Sequence, residues 1–223
     1  MNTRRTENGA DPAGLVGTAV PGSSGTPDTQ SLRERRQDRT RRDLVDAVLQ
    51  IIAERGLGDA TMERVSAVSG ISRGTVYAHF PGGRDALLRD AYARLGRELV
   101  ERTQLAVSAA GDWRGRLAAH ARAMFDLAAD ARVGHFYNVS GPTLVVDGSE
   151  RGIGSGASVT MISETLAEAQ LGGEVDAAVD PHATALLLVG ALREAAIGIA
   201  SGVSDAETLF TSFVRLADGL ARR

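Results

Sequence analysis

The segment from Gly70 to Phe80, GISRGTVYAHF, places side chains suited to nucleic-acid contact around one short helix. At 100° per residue, Val76 and Phe80 share an apolar face, and Gly74 and Ala78 lie on the opposite face. A solvated helix normally carries charges there, whereas small residues let the main chain approach base edges in the major groove. This pattern predicts a helix that reads DNA.

Hydrogen-bond donors flank that face of small residues. Arg73 stands at the helix start, where its guanidinium can donate two hydrogen bonds to O6 and N7 of a guanine. Thr75, Tyr77 and His79 carry hydroxyl and imidazole groups that reach flanking phosphates, and such contacts fix the register of a protein on the duplex. Each residue alone is a weak signal, so the prediction depends on the ordered set.

Three predicted helices position this segment. They run over about residues 35–55, 62–69 and 73–80. Thr61 and Ser72 act as N-caps of the second and third helices, whose N-termini offer free main-chain N–H groups to phosphate. Val65 and Val68 are expected to point inward, and Gly70 ends the second helix. Two short helices joined by a glycine turn after a longer helix are typical of a helix-turn-helix unit.

The charge is distributed unevenly along the chain. Residues 33–97 hold 13 Arg against 9 acidic residues, whereas residues 98–223 hold 10 Arg against 16 acidic residues. A basic N-terminal part on an acidic body indicates a polyanionic partner for the first part alone. The arginine-rich run over 33–42 is either a solvated helix start or an arm that touches phosphates, with Arg41 and Arg42 as the candidate contacts.

The rest of the chain has apolar residues at helical spacing and no alternating run long enough for a strand. The expected elements are helices over about 84–107, 112–131, 158–171, 181–202 and 205–222, with a loop over 148–156. The predicted fold class is all-α. We expect a disordered tail over 1–32, a three-helix helix-turn-helix DNA-binding domain over 33–83, and a helical-bundle domain for ligand binding and dimerisation over 84–223.

The last two predicted helices are too widely apolar for one bundle core. This excess width predicts a homodimer in which these helices pack against a second subunit; the alternative is a fully buried helix in a monomer. A dimer also suits DNA, because two reading helices on a two-fold axis read a palindrome. The most apolar run, Ala183 to Leu192, is too short to span a bilayer, and no secretory signal is recognisable, so we expect a cytoplasmic protein without a membrane partner.

The middle of the bundle domain holds bulky or polarisable residues in a sequence with only 9 aromatic side chains. We expect them to line an apolar pocket for a small, largely apolar or aromatic effector; ordinary core packing is the alternative. The candidates are Trp113, Met124, His135, Phe136, Tyr137 and Met161.

Sequence motifs for catalysis are lacking. The chain has no Cys, and its four His have no metal-ligand spacing. The glycine-rich run RGIGSGAS at 151–158 neither follows a predicted strand nor precedes a Lys, as a phosphate loop would. We therefore expect neither an enzyme nor a cofactor.

The block TMERVSAVSGISRGTVYAHFPGGRDALL resembles the DNA-binding domain of the tetracycline-repressor family of bacterial transcriptional regulators, over roughly Arg41 to Leu88. The resemblance implies a repressor that binds a palindromic operator on double-stranded DNA as a homodimer and is released by a small-molecule effector. A DNA-binding helical protein without a ligand is the alternative. The family usually has a Lys at the start of the fourth helix, and Arg84 stands near that place here. The complete predicted DNA-contact set is Arg41, Arg42, Thr61, Ser72, Arg73, Gly74, Thr75, Tyr77, His79 and Arg84.

Overall fold

The structure is a computed structural model in which residues 31–144 and 149–222 are described. Most of the predicted tail, residues 1–30, lies outside these residues. The described part forms eight α-helices: α1 Leu32–Arg55, α2 Met62–Ser69, α3 Arg73–His79, α4 Gly83–Ala109, α5 Trp113–Ala129, α6 Ser149–Leu171, α7 Pro181–Ala200 and α8 Ala206–Asp218. Its single extended pairing is an isolated bridge between Val175 and Ala221, so the all-α prediction is confirmed.

The first helix begins about three residues earlier than the sequence pattern predicted. Ser31 accepts a hydrogen bond from the main-chain N–H of Glu34, and the Glu34 carboxylate accepts one from the main-chain N–H of Ser31. This capping box satisfies two N–H groups that would otherwise lack partners, so the helix starts at Leu32. Its C-terminal half is buried against α2 and α4.

The helix-turn-helix unit is closed by one apolar core. Leu44, Val48 and Ile51 of α1 are fully or almost fully buried, as are Val65 of α2 and Val76 of α3. Val68 is an exception, because it is 44% exposed and the expectation that it points inward is wrong. Met62 and Val65 are buried, and each step of three residues shifts the direction by about 60° around a helix, so Val68 points away from the face that Met62 presents to the core.

The long helix α4 joins the two predicted domains. Its first turns bury Leu87 and Leu88 in the core of the helix-turn-helix unit, and its later turns pack on α5 and α6. The bundle has its own core, in which Phe125 of α5 packs with residues of α6, α7 and α8. The predicted boundary at residue 83 remains a prediction; the core of the first unit extends into α4.

The loop predicted over 148–156 is wrong for its described residues, because α6 begins at Ser149. Glycine costs roughly 1 kcal/mol in a helix interior, so Gly154 and Gly156 disfavour this helix locally. Tertiary packing accounts for it: a Cβ on Gly154 would lie 3.2 Å from the Tyr137 hydroxyl. The small residue therefore allows α6 to approach the segment that carries Tyr137.

Candidate DNA interface and ligand cavity

The turn between α2 and α3 is held by hydroxyl groups as well as by glycine. Gly70 adopts a left-handed conformation with φ of 69°, which glycine tolerates without strain. Ser66 Oγ donates to the Ile71 carbonyl oxygen at 2.6 Å, and Ser69 Oγ accepts from the Ile71 N–H at 3.2 Å. Sequence reasoning treated these two serines only as small residues and did not assign their hydrogen bonds; their positions just before the turn were the available signal.

The face of α3 predicted to read DNA is open. Val76 is fully buried, whereas Gly74 and Ala78 are exposed on the opposite side. A Cβ placed on Gly74 would meet no heavy atom within 4 Å among the described residues. Tyr77 is exposed and His79 is half-buried, so both remain beside the open face.

The N-terminus of α3 carries the predicted base-reading arginine. Arg73 Nη2 donates to Glu63 Oε1 of α2 at 2.5 Å, and both side chains are more than half exposed. Ser72 caps the helix by accepting from the Thr75 N–H, and the hydroxyls of Ser72 and Thr75 lie 2.9 Å apart. Thr61 caps α2 in the same way, by accepting from the Arg64 N–H.

Two of the predicted phosphate contacts have partners within the fold. Arg41 Nε donates to Asp90 Oδ2 at 2.7 Å, and its guanidinium lies 4.5 Å from the centre of the Phe80 ring. Arg84 donates to the carbonyl oxygens of Leu57 and Ala60 at 2.7 and 2.8 Å, so its guanidinium holds the loop before α2.

Arg42 differs from these two because its side chain is exposed and donates only to the Asp38 carbonyl oxygen, at 3.3 Å. Of these three arginines it is therefore the one with most of its guanidinium available for phosphate. The DNA roles of all three remain predictions.

A cavity of about 250 Å³ lies between α4, α5, α6, α7 and the segment after α5. The lining residues are Tyr92, Ala93, Gly96, Leu99, Val100, Thr103, Met124, Tyr137, Asn138, Val139, Pro142, Gly154, Ser155, Ser158, Met161, Val189, Arg193 and Ile197. Met124, Tyr137 and Met161 are the members of the predicted pocket that the fold brings together here.

The other three predicted pocket residues lie elsewhere, so their assignment to this cavity is corrected. Phe136 is buried in the core of the helix-turn-helix unit, and His135 is exposed, with its Nδ1 3.3 Å from Ser140 Oγ. Trp113 is buried in the bundle core. The segment from His135 to Tyr137 is helical, and successive residues on a helix point in directions about 100° apart, so the three side chains have different surroundings.

Tyr137 is one of the polar side chains that line the cavity. Its ring stacks on Tyr92 with the ring centres 5.1 Å apart. Burial, the largest cause, raises the pKa of Tyr137 well above its usual value, and Tyr92 raises it further, whereas the positive charge of Arg193 acts in the opposite direction. The hydroxyl is therefore protonated at neutral pH and able to donate a hydrogen bond.

Arg193 was not among the predicted residues, although the sequence carries a signal for it. It is a single cation in α7, a helix that is otherwise apolar through most of its length. It is exposed, yet it reaches the cavity together with Val189 and Ile197 of the same helix.

Comparison with known proteins identifies the N-terminal part. The family described as bacterial regulatory proteins, tetR family, matches residues 44–91, which hold α2, α3 and parts of α1 and α4. Residues 44–91 are therefore similar to the DNA-binding domain of that family. This tetR-type domain is similar to two regulators from Pseudomonas putida: SrpR, 36% identical over 50 residues, and TtgW, 38% identical over 48 residues. Each match covers 22% of this chain, and the matches cover 24% and 36% of those relatives.

Solved structures extend the likeness beyond that domain. A TetR-family transcriptional regulator from Pectobacterium atrosepticum is 25% identical, with a TM-score of 0.70 over 85% of this chain and 97% of that one. A transcriptional regulator from Saccharomonospora viridis in complex with choline (18% identical, TM-score 0.67, 83% and 100% covered) shares the fold. So does FadR from Bacillus subtilis in complex with stearoyl-CoA (18% identical, TM-score 0.63, 78% and 96% covered).

Proposed function

We propose that this tetR-type chain is a cytoplasmic transcriptional repressor that binds a palindromic operator as a homodimer and releases it when a small effector binds. The observation that supports the DNA-binding part of this proposal is the open face of α3, where small residues lie beside Arg73. A helix of this shape fits the major groove, and Arg73 is placed to donate to guanine.

Helix α4 supplies a route from the cavity to the DNA-binding unit. One side of it lines the cavity with Tyr92, Ala93 and Gly96. The other side holds α1 through two ion pairs, Arg41 with Asp90 and Arg94 with Asp46, the second at 2.5 Å. An effector that prefers one position of α4 would therefore favour one position of α1 and of the reading helices.

The cavity also bears on the alternative of a DNA-binding protein without a ligand. That alternative is favoured by a fully packed bundle core, whereas the space between these helices is about 250 Å³ and a cavity of roughly 150 Å³ already admits benzene. The complexes of related folds with choline and stearoyl-CoA support a ligand-responsive function for this chain.

The dimer is proposed from the uncovered side of α7 and α8. Leu186 and Leu187 of α7 and Leu216 of α8 are exposed, Leu187 by 75%. By length and composition alone α7 could cross a membrane, with a mean hydropathy of 1.6 and 33% of that window buried. Its other side is part of the bundle core, so a second copy is the occupant that we propose for the exposed leucines. In such a dimer the two reading helices would lie about 34–36 Å apart, or a multiple of that spacing.

Selection of bound fragments from a random pool of double-stranded DNA tests the regulator. The expected result is an inverted repeat with half-sites about one helical turn apart, or a multiple of a turn. Recovery of unrelated sequences, or no retention at low ionic strength, would refute operator binding.

Substitution at the exposed leucines tests the dimer. Leu187→Glu should convert the dimer into a monomer in light scattering, because two charges would face each other in an apolar interface. Leu171→Glu is the matched control, since Leu171 is also exposed, by 92%, and lies at the end of α6 instead of on α7 or α8. A wild-type chain that is monomeric at micromolar concentration, or a dimer that survives Leu187→Glu, contradicts the interface.

A further inference from the structure

The only charged side chain in the described lining of the cavity is positive. Arg193 is the one ionisable cation among the lining residues that the structure describes, and no Asp or Glu is among them. A ligand with a positive charge would find no carboxylate among these described lining residues, and burial of an unpaired charge is costly. A ligand with one negative charge would find one partner.

Arg193 is also available. The arginines of α5 are paired: Arg114 with Asp218, Arg116 with Glu168 and Arg122 with Glu207. Arg193 forms no ion pair with any residue in the described part of the chain. Its guanidinium offers donors in a fork that matches the two oxygens of a carboxylate.

The remainder of the cavity suits an apolar or aromatic body with a polar end. Leu99, Met124 and Met161 supply apolar walls. The Tyr137 hydroxyl lies in the narrow space between α4 and α6, where a Cβ on Gly96 would come within 3.4 Å of it. No hydrogen bond joins this hydroxyl to a described residue. Because it stays protonated at neutral pH, it can donate to an anion.

We propose that the effector is a small organic monocarboxylic acid, with its carboxylate on Arg193 and its hydrocarbon body between α4 and α6. The proposal rests on the proposed function of the cavity as an effector site. It is narrower, because it names the charge of the ligand and the residue that selects it.

The test compares acids with uncharged and cationic analogues of the same shape. Benzoate, phenylacetate, hexanoate and octanoate are titrated into the full chain by calorimetry, each beside its primary amide, with benzylamine as the cation. At least one acid should bind, with an affinity roughly tenfold or more above that of its amide, since loss of a charged hydrogen-bonded pair has an effect of that order. An amide or benzylamine that binds as tightly as the best acid would overturn the proposal.

Variants assign the selectivity to one side chain. Arg193→Gln should reduce acid affinity roughly tenfold and leave amide affinity unchanged, whereas Arg193→Lys should retain part of it. Arg102→Gln is the matched control, because Arg102 is exposed on α4 and outside the cavity lining. Light scattering and the unfolding temperature without ligand establish that each variant keeps its assembly and fold. Equal acid affinities of Arg193→Gln and the wild type would refute the assignment.

Operator binding by the same preparations distinguishes failure of the acid proposal from failure of the proposed regulator function. If the operator is bound and no acid of the panel binds or releases it, the acid proposal is wrong and the regulator stands. If acids bind in an Arg193-dependent manner and no operator is found, the ligand chemistry stands and the regulator is wrong.

Discussion

Arg73→Ala is the substitution that most directly tests the proposal that α3 reads DNA. In the free protein the Arg73 side chain is 62% exposed and its partner Glu63 is 56% exposed. An ion pair this open contributes about 0–1 kcal/mol to the free energy of unfolding. The truncated chain should therefore remain folded, with an unfolding temperature close to that of the wild type.

The expected effect on operator binding is much larger. Loss of a bidentate contact to guanine costs about 1–3 kcal/mol of binding free energy, which weakens the complex roughly 5- to 150-fold. The loss should be confined to one base pair per half-site. Arg73→Ala should bind the wild-type operator and the operator substituted at that base pair with nearly equal affinity.

Glu63→Gln is the complementary change. Arg73 donates to Glu63 Oε1 at 2.5 Å, so it must leave this carboxylate or share it in order to contact a base. Neutralising Glu63 frees Arg73 and removes a negative charge beside the α3 N-terminus. Operator affinity should rise by up to about 1 kcal/mol, or roughly fivefold, the upper range for an exposed pair.

Fluorescence anisotropy with the selected operator, at one fixed salt concentration, measures both effects. Single base-pair substitutions of the operator give the change in specificity, and urea unfolding gives the change in stability. If Arg73→Ala retained the full base preference, or lost affinity only through unfolding, the assignment of α3 as the reading helix would be wrong.

The other predictions concern stability, pH and the cavity. Arg41→Ala should lower the free energy of urea unfolding by about 1–2 kcal/mol, because the Asp90 ion pair and the Phe80 ring contact are lost. Arg42→Ala should change that free energy by less than about 0.5 kcal/mol and should weaken binding to all DNA sequences alike. Equal stabilities of the two variants would contradict this division. Burial lowers the pKa of His120 from 6.5 to about 4, so the neutral ring stabilises the fold above pH 6.5 and this stability is lost as the pH falls towards 4. His120→Leu should therefore lose about 2 kcal/mol less than the wild type between pH 7 and pH 5 in urea unfolding, and identical pH profiles would disprove the neutral ring. Gly141→Ala should destabilise the protein, because its Cβ would lie 2.5 Å from the Tyr92 ring. Gly96→Ala meets only ordinary contacts at 3.4 Å and should keep or raise the unfolding temperature. If Gly141→Ala had the higher unfolding temperature of the two variants, the packing described around the cavity would be wrong.

Local signals predicted helix ends well, because they act over a few residues. Thr61 and Ser72 each accept a hydrogen bond from an N–H three residues ahead, as predicted for N-caps. Gly70 ends α2 in a left-handed conformation. The same local reasoning failed at Gly154, where propensity favours a loop and contact with the Tyr137 segment favours a helix.

The candidate cavity was only half predictable. Bulky side chains in the middle of the bundle domain pointed to the right region, and three of the six lie in the cavity. Which neighbour in a run such as His135 to Tyr137 faces inward depends on the rotation of one helical turn, and composition does not specify it. Arg193 was not predicted from the sequence because its importance depends on its surroundings. These are apolar walls, a protonated tyrosine and the lack of an acidic partner in the described lining.

By itself, the sequence determined the all-α class and the order of helices in the helix-turn-helix unit. It also determined which face of α3 carries apolar residues and which carries small residues. Caps, glycine turns and periodicity specify these features because they are properties of neighbouring residues. Only the tertiary structure decided which arginines are free and which are occupied. Arg41 and Arg84 bond to groups 49 and at least 24 residues away, whereas Arg42 bonds only to its own helix. A charged side chain binds DNA or its own fold according to the acceptors within reach, and those acceptors are brought there by folding.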